Sequence, residues 1–318
     1  MESATVIDLA TAIDVAIVVG LVVLAWRSLL GPGLFRGIVM YVVFGLLLAV
    51  AWARLGSPDL AMAEAAIGAG VTGALVMVAY WRVRRFVPAE PADPSPRRSR
   101  VAATVALLST GVVAAIGLAA VQAIGEGGIA GRALAEALPA TGLGNPITGV
   151  LVVFRNLDTV LEVAVLLAAY LAMRAVLGED GAPLAQSPVQ RGQLVGALVA
   201  VVAPMALLVA VYLWRAGSQL PGGAFQAGAV LAACGVLLLL TGRLRATAEA
   251  GAWVRTSLVV GTVVFAGVGV AMLAFGEPLL AIPGMWAVYL IEAAMMVSIG
   301  VTLALLFAGA VGLGGGRR

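Results

Sequence analysis

Nine stretches of about 20 apolar residues recur along the 318-residue chain, near 7–26, 37–54, 58–80, 101–123, 150–174, 193–214, 224–242, 256–275 and 285–309. Each has the length a helix needs to cross the hydrocarbon core of a bilayer. Backbone polar groups find no water there, so segments that cross must satisfy them internally. The expected fold is therefore all-α, a polytopic membrane helix bundle of about nine transmembrane helices. A soluble alternative lacks material for its surface: hydrophobic residues are 62% and charged residues 11% of the chain, against about a quarter charged in soluble domains. The second stretch is short, and Leu55 to Ser57 predicts a tight turn into the third.

The arginines give an independent check, because short loops rich in basic residues stay cytoplasmic. With the N-terminus outside, 15 arginines fall inside, at 27, 36, 82, 84, 85, 97, 98, 100, 174, 191, 243, 245, 255, 317 and 318. Only Arg54, Arg132, Arg155 and Arg215 remain outside. The predicted topology is N-out, C-in, in a prokaryotic cell membrane. Residues 1–7 carry Glu2 and have neither the basic flank nor the cleavage site of a signal peptide, so they read as mature sequence.

Two cytoplasmic linkers divide the chain. Residues 88–100 are proline- and arginine-rich and end a three-helix unit, 1–87; residues 179–192 separate a two-helix unit, 101–178, from a four-helix unit, 193–318. The longest loop elsewhere runs from about Gly125 to Asn145, and Arg132 to Ala137 is expected to form a short interfacial helix within it.

Catalytic chemistry is poorly provided for. There is one cysteine, Cys234, and no histidine, so a disulfide framework and the usual zinc or iron–sulfur ligand sets are excluded. No nucleophile triad, cofactor motif or nucleic-acid patch occurs, and the cluster from Arg82 to Arg100 suits topology and anionic lipid. The chain is expected to be neither an enzyme nor a cofactor protein.

Carboxylates within spans are costly unless neutralised, paired or facing water. The candidates are Asp14 midway along the first helix, Asp59 and Glu64 in the third, Asp158 and Glu162 in the fifth, and Glu292 in the ninth. Arg155, Asp158 and Glu162 are spaced i, i+3, i+7, which places them on one helix face. That face is not expected to meet lipid. Arg155 would pair with Asp158, leaving Glu162 to exchange a proton or hold a cation, although all three could instead lock the helix to its neighbours. Ser57-Pro58-Asp59 reads as a helix start with Asp59 near its positive end, favouring a capping role. Glu64 follows on a face of small residues, Ala65, Gly68, Ala69 and Thr72, which predicts burial against protein. Glu292 lies beside Met295 and Met296, where intersubunit packing competes with ion handling.

Residues Gly217 to Gly228, with Pro221, Gly222, Gly223 and Phe225 at their centre, predict a tight re-entry followed by a closely packed helix. No lysine or Walker pattern follows, so this is not a nucleotide loop.

Three segments resemble modules of the Mrp-type multisubunit sodium/proton antiporters and the related membrane-bound hydrogenases. Residues 56–70, GSPDLAMAEAAIGAG, are similar to the hydrogenase D-type module. Residues 145–162, with Phe154-Arg155-Asn-Leu-Asp158-Thr159-Val-Leu-Glu162, are similar to the E-type module. Residues 215–228, with the Pro221-Gly222-Gly223-x-Phe225 core, resemble the antiporter B subunit. The B-type pattern usually has a histidine where this chain has Ser218 and a third glycine where it has Ala224, so any role of that histidine is lost.

The resemblance implies a fused D/E/B-type membrane subunit, with Glu64, Arg155, Asp158 and Glu162 in a path for Na⁺ or H⁺ and Asp59 also matching the motif. Its implied partners are other subunits of an antiporter complex, including a large antiporter-like proton-pumping subunit, and it would not transport alone. A redox-linked, hydrogenase-like complex and a purely structural scaffold are the alternatives.

Overall fold

The computed structural model describes residues 2–84, 96–123, 129–177, 193–247, 250–309 and 312–315. Most of both expected linkers, 88–95 and 179–192, lies outside the described residues. The helices are α1 (Glu2–Leu30), α2 (Leu34–Arg54), α3 (Pro58–Ala63), α4 (Thr72–Val83), α5 (Pro96–Ala123), α6 (Ile129–Ala137), α7 (Pro146–Thr148), α8 (Asn156–Leu177), α9 (Gln193–Ala216), α10 (Ala224–Leu240), α11 (Ala252–Ala271) and α12 (Met285–Ala308). The π-helical section Glu64–Val71 joins α3 to α4, so these three pieces make one span. A second π-helical section, Gly149–Phe154, extends α7.

Seven helices are long and apolar enough to cross a membrane, or eight if the bent pair Gly131–Thr141 and Pro146–Phe154 is one span. The expected count of nine thus becomes seven or eight by this measure. At two of the nine expected places the apolar helices are shorter, Ala103–Ala119 and Ala224–Leu240. The 17 residues of α10 extend about 26 Å at 1.5 Å per residue, less than a typical hydrocarbon core of about 30 Å. The glycine turn before it, Gly217–Gly223, occupies the depth that further helical residues would have taken.

The loop expected between about Gly125 and Asn145 is largely helical. The interfacial helix is α6, Ile129–Ala137, and the chain then bends by 95° into α7. The fifth span starts at Asn156 rather than near 150. Its start is set by Arg155, whose φ of −130° and ψ of 38° interrupt the helix. Thr159 repairs the interruption from the following turn, donating its hydroxyl to the Leu151 carbonyl at 2.6 Å, one of the acceptors that a helix end leaves open.

The core is built around α12, with 67% of its most apolar window buried against 6–22% for the other spans. It is apolar on all sides, as a surrounded helix must be, and α8, α10 and α11 pack on it. Ile291, Met295 and Ile299 from α12 form the main cluster with Phe265 of α11, Val163 of α8 and Ala232 of α10. At the other extreme, α1 and α5 expose most of their valines and leucines. Such faces are stable only against lipid or other protein.

A two-stranded antiparallel ribbon, β1 (Leu244–Thr247) with β2 (Gly312–Gly315), closes one end. The apolar stretches carry no signal of it. It holds the residues that follow α10 to those that follow α12.

Small residues set the closest helix approaches. A Cβ at Gly45 would stand 3.1 Å from the Cβ of Ala69, so the small face expected around Glu64 meets α2. A Cβ at Gly228 in α10 would stand 2.8 Å from the Cβ of Ile299 and 3.2 Å from the Met296 carbonyl oxygen. Gly228→Ala must therefore push α10 off α12. It is expected to destabilise the purified protein by about 1–3 kcal/mol, the usual cost of overpacking, read as a lower thermal unfolding midpoint in detergent. Gly267→Ala, where a Cβ meets nothing within 4 Å, should leave the midpoint unchanged.

Candidate functional site

The carboxylates fall into separate groups. Asp14 pairs with Arg54, Nε to Oδ1 at 2.9 Å and Nη2 to Oδ2 at 3.0 Å. This fork joins α1 to the last residue of α2, so Asp14 lies level with a helix end rather than midway through the span. The two arms match the planar geometry of guanidinium and carboxylate. Both side chains are exposed, Arg54 at 41% and Asp14 at 55%.

Asp59 is 4% exposed and bonds away from its own helix. Its Oδ1 accepts from the Gly222 N–H at 2.9 Å and from Asn145 Nδ2 at 3.1 Å. The start of α3 receives no side-chain cap from Ser57, and the capping role expected of Asp59 gives way to these long-range bonds. Asn145 serves several partners at once. Its amide also reaches the Gly217 and Leu220 carbonyls, both at 3.1 Å, while its Oδ1 caps α7 through the Ile147 N–H. Thr148 donates to the Gly217 carbonyl at 2.6 Å, and Gln226 donates to the Asp59 carbonyl at 3.2 Å. Neutral donors from the start of α7 and from the glycine turn thus hold the charge of α3, the arrangement that makes a buried carboxylate tolerable.

The turn is shaped for this contact. Gly222 and Gly223 have φ of 156° and 119°, conformations that side chains disfavour, and the Gly223 N–H closes the turn onto the Leu213 carbonyl at 2.9 Å. Pro221 is exposed, and Phe225 packs against the main cluster. Ser218 is fully buried, with Oγ 2.9 Å from the Tyr289 hydroxyl. Arg215 also bonds that hydroxyl and stacks over the ring, 4.4 Å from its centroid.

Glu64 is half-buried at the start of the wide-turn section, its carboxyl folded down over Gly68. Wider helical turns of this kind occur frequently at functional sites. Among the described residues no arginine pairs with it.

Arg155, Asp158 and Glu162 follow one edge of α8. Arg155 Nη2 meets Asp158 Oδ2 at 2.5 Å, with 71% and 56% of these side chains exposed. Arg155 sits at the break before the helix, so it is the lip of the stripe rather than its first helical position. Glu162 is exposed one turn further along. Of the predicted site residues, then, Asp59 is drawn to the Gly222–Gly223 turn, the stripe stands on an outer face, and Asp14 stands apart.

Three buried polar residues escape motif and spacing arguments: Asn145, Thr148 and Gln226. Their roles depend on partners 69 to 167 positions away. Asn145→Ala removes three donated bonds and one cap. The expected result is a loss of about 3 kcal/mol in unfolding free energy, with faster amide exchange at Ile147 and through Gly217–Leu220.

Comparison with known proteins fits this architecture. The family model MbhD, described as belonging to MBH, matches residues 19–85. The model described as a domain related to the MnhB subunit of Na⁺/H⁺ antiporter matches residues 194–314. No curated protein sequence matches. Among solved structures, a chain from the Mrp complex of Dietzia sp. DQ12-45-1b is similar at a TM-score of 0.74 and 21% identity, over 93% of this chain and 34% of that one. The chain therefore spans about a third of that relative's length. A chain of the membrane-bound sulfane sulfur reductase, an archaeal respiratory membrane complex, is similar at a TM-score of 0.54 and 22% identity, over 66% of this chain and 97% of that one. At these identities the likeness to solved structures is one of fold. Two domain matches in this order, on a fold shared with a chain of the Mrp complex, place the protein in the family of Mrp-type fused MnhB/MbhD-like membrane subunits.

Proposed function

We propose that the chain is a membrane subunit of a multisubunit Na⁺/H⁺ antiporter complex, and that its α8 edge, covered by a neighbouring subunit, lines part of a hydrated path for Na⁺ or protons. The observation that carries this reading is the exposure of Arg155, Asp158 and Glu162 along a helix long and apolar enough to cross the bilayer. A charge facing lipid costs a few kcal/mol or more, so such a face calls for protein or water. Arg155 neutralises Asp158 at the helix start. Glu162 lies about 6 Å deeper at 1.5 Å per residue and has no ion-pair partner among the described residues. It is the group free to take up and release a cation.

Glu64 and Asp59 extend the proposed carboxylate set on the other side of the bundle, and Asp14 belongs to it only at the level of its pair with Arg54. With the N-terminus outside, the Asp59 contacts lie at the external end of the bundle. The neighbours include a large antiporter-like subunit, which supplies proton pumping. Residues 101–178 act as the E-type unit, bounded by the 1–87 and 193–318 units.

A redox-linked complex is the second reading, favoured by the 97% coverage of the sulfane sulfur reductase chain. Redox subunits co-purifying with this chain would select it. The antiport reading is tested by collapse of an imposed pH gradient in vesicles containing the whole complex, comparing Glu162→Gln with wild type at matched assembly. Loss of most of the sodium-dependent activity is expected. Full activity would reduce the stripe to a structural contact.

A further inference from the structure

Glu292 is 3% exposed, and its Oε2 has no hydrogen-bond partner among the described residues. The Ala224 N–H, first of α10, hydrogen-bonds the carboxyl group. One backbone donor leaves the rest of its bonding capacity unused, and a buried carboxylate in that state takes a proton, binds a cation or costs stability.

The surroundings leave room for such a guest. A Cβ at Gly223 would stand 3.2 Å from Glu292 Oε1 and 3.5 Å from Gln226 Oε1. Two oxygens therefore border one small space that exists because residue 223 is a glycine. Gln226 is buried, and its amide nitrogen is engaged with the Asp59 carbonyl, which turns its oxygen away from Asp59. No positive charge among the described residues competes for the place. The ion pairs found among them are Asp14–Arg54 and Arg155–Asp158.

The titratable and charged groups on the elements around Glu292 are engaged elsewhere or exposed. Asp59 is bound to Gly222 and Asn145. Tyr289 is bound to Arg215 and Ser218. Glu162 of α8 is exposed, Arg255 of α11 is bound to the Ala250 carbonyl, and α10 carries no charged residue. None of these satisfies Oε2.

We propose that Glu292, with Gln226 Oε1 and the Gly223–Ala224 backbone, forms a binding site for one monovalent cation, a proton or a sodium ion, at the seam between α3 and the glycine turn. It is a second site, separate from the α8 edge. The inference rests on the reading of the chain as a subunit of a cation-handling complex, but its test does not depend on transport.

The test uses the assembled complex. Equilibrium binding of radioactive sodium and the infrared absorption of protonated carboxyl groups are measured for wild type, Glu292→Gln and, as a control, Glu162→Gln. Loss of one sodium equivalent per chain in Glu292→Gln alone identifies a sodium site. Loss of a protonated-carboxyl band in Glu292→Gln alone, with sodium binding intact, identifies a proton site. No change in either quantity overturns the proposal, as does a change shared equally with Glu162→Gln. Should Glu292→Gln fail to assemble, Gln226→Ala removes the second oxygen and keeps the carboxyl group. It must then weaken sodium binding or shift the carboxyl band, and a variant indistinguishable from wild type overturns the proposal equally.

Discussion

A buried carboxylate held by neutral donors is the interaction on which the arrangement of the units depends. Asp59 begins α3, Asn145 precedes α7, and Gly222 lies between α9 and α10, yet all three meet through one oxygen. A single carboxylate oxygen with two donors from distant segments fixes both position and register. Hydrogen bonds to a charged acceptor contribute about 1.5–3 kcal/mol each, and breaking one would leave charge buried without a partner. The glycine turn is shaped to bring its amide to this oxygen, which is why positive φ occurs at Gly222 and Gly223. Apolar packing of α12 against α8, α10 and α11 then completes the bundle.

That arrangement also determines what remains uncovered. With α12 surrounded, the other spans are left as a single layer whose outer faces meet lipid or other subunits. Valines and leucines on α1 and α5 suit either neighbour. The outer edge of α8 does not, since it carries an arginine and two carboxylates. The physical asymmetry between these faces links the fold to the proposed transport role: apolar faces accept any apolar neighbour, whereas the charged face requires water or a protein that supplies polar partners.

Much of this was legible in the sequence because the bilayer imposes a length and a polarity on each span. The places of α1, α2, α9, α11 and α12 follow from apolar windows alone, and the spacing of Asp158 and Glu162 from helical periodicity. What was not legible depended on distant partners or local backbone breaks. Asp59 looks like a helix-start residue because its true partners lie 86 and 163 positions away. Arg155 reads as part of a helix, since a single polar residue in an apolar run does not announce the broken backbone that Thr159 repairs. Glu292 reads as a packing residue beside two methionines; the small space beside Gly223 becomes visible only when α10 and α12 are placed together. The ribbon of β1 and β2 joins two short segments 68 positions apart, counted from Leu244 to Gly312, with no periodicity to signal it.

The most direct test concerns what covers the outer edge of α8. A photo-crosslinking side chain in place of Val165, exposed on α8 close to Glu162, can be activated in native membranes containing the whole complex. If a neighbouring subunit covers this edge, the expected result is a crosslink to that subunit, lost when its gene is deleted. Crosslinks to lipid alone, in a complex that is otherwise assembled, would contradict the proposed path, because the charged face would then lie open to the bilayer.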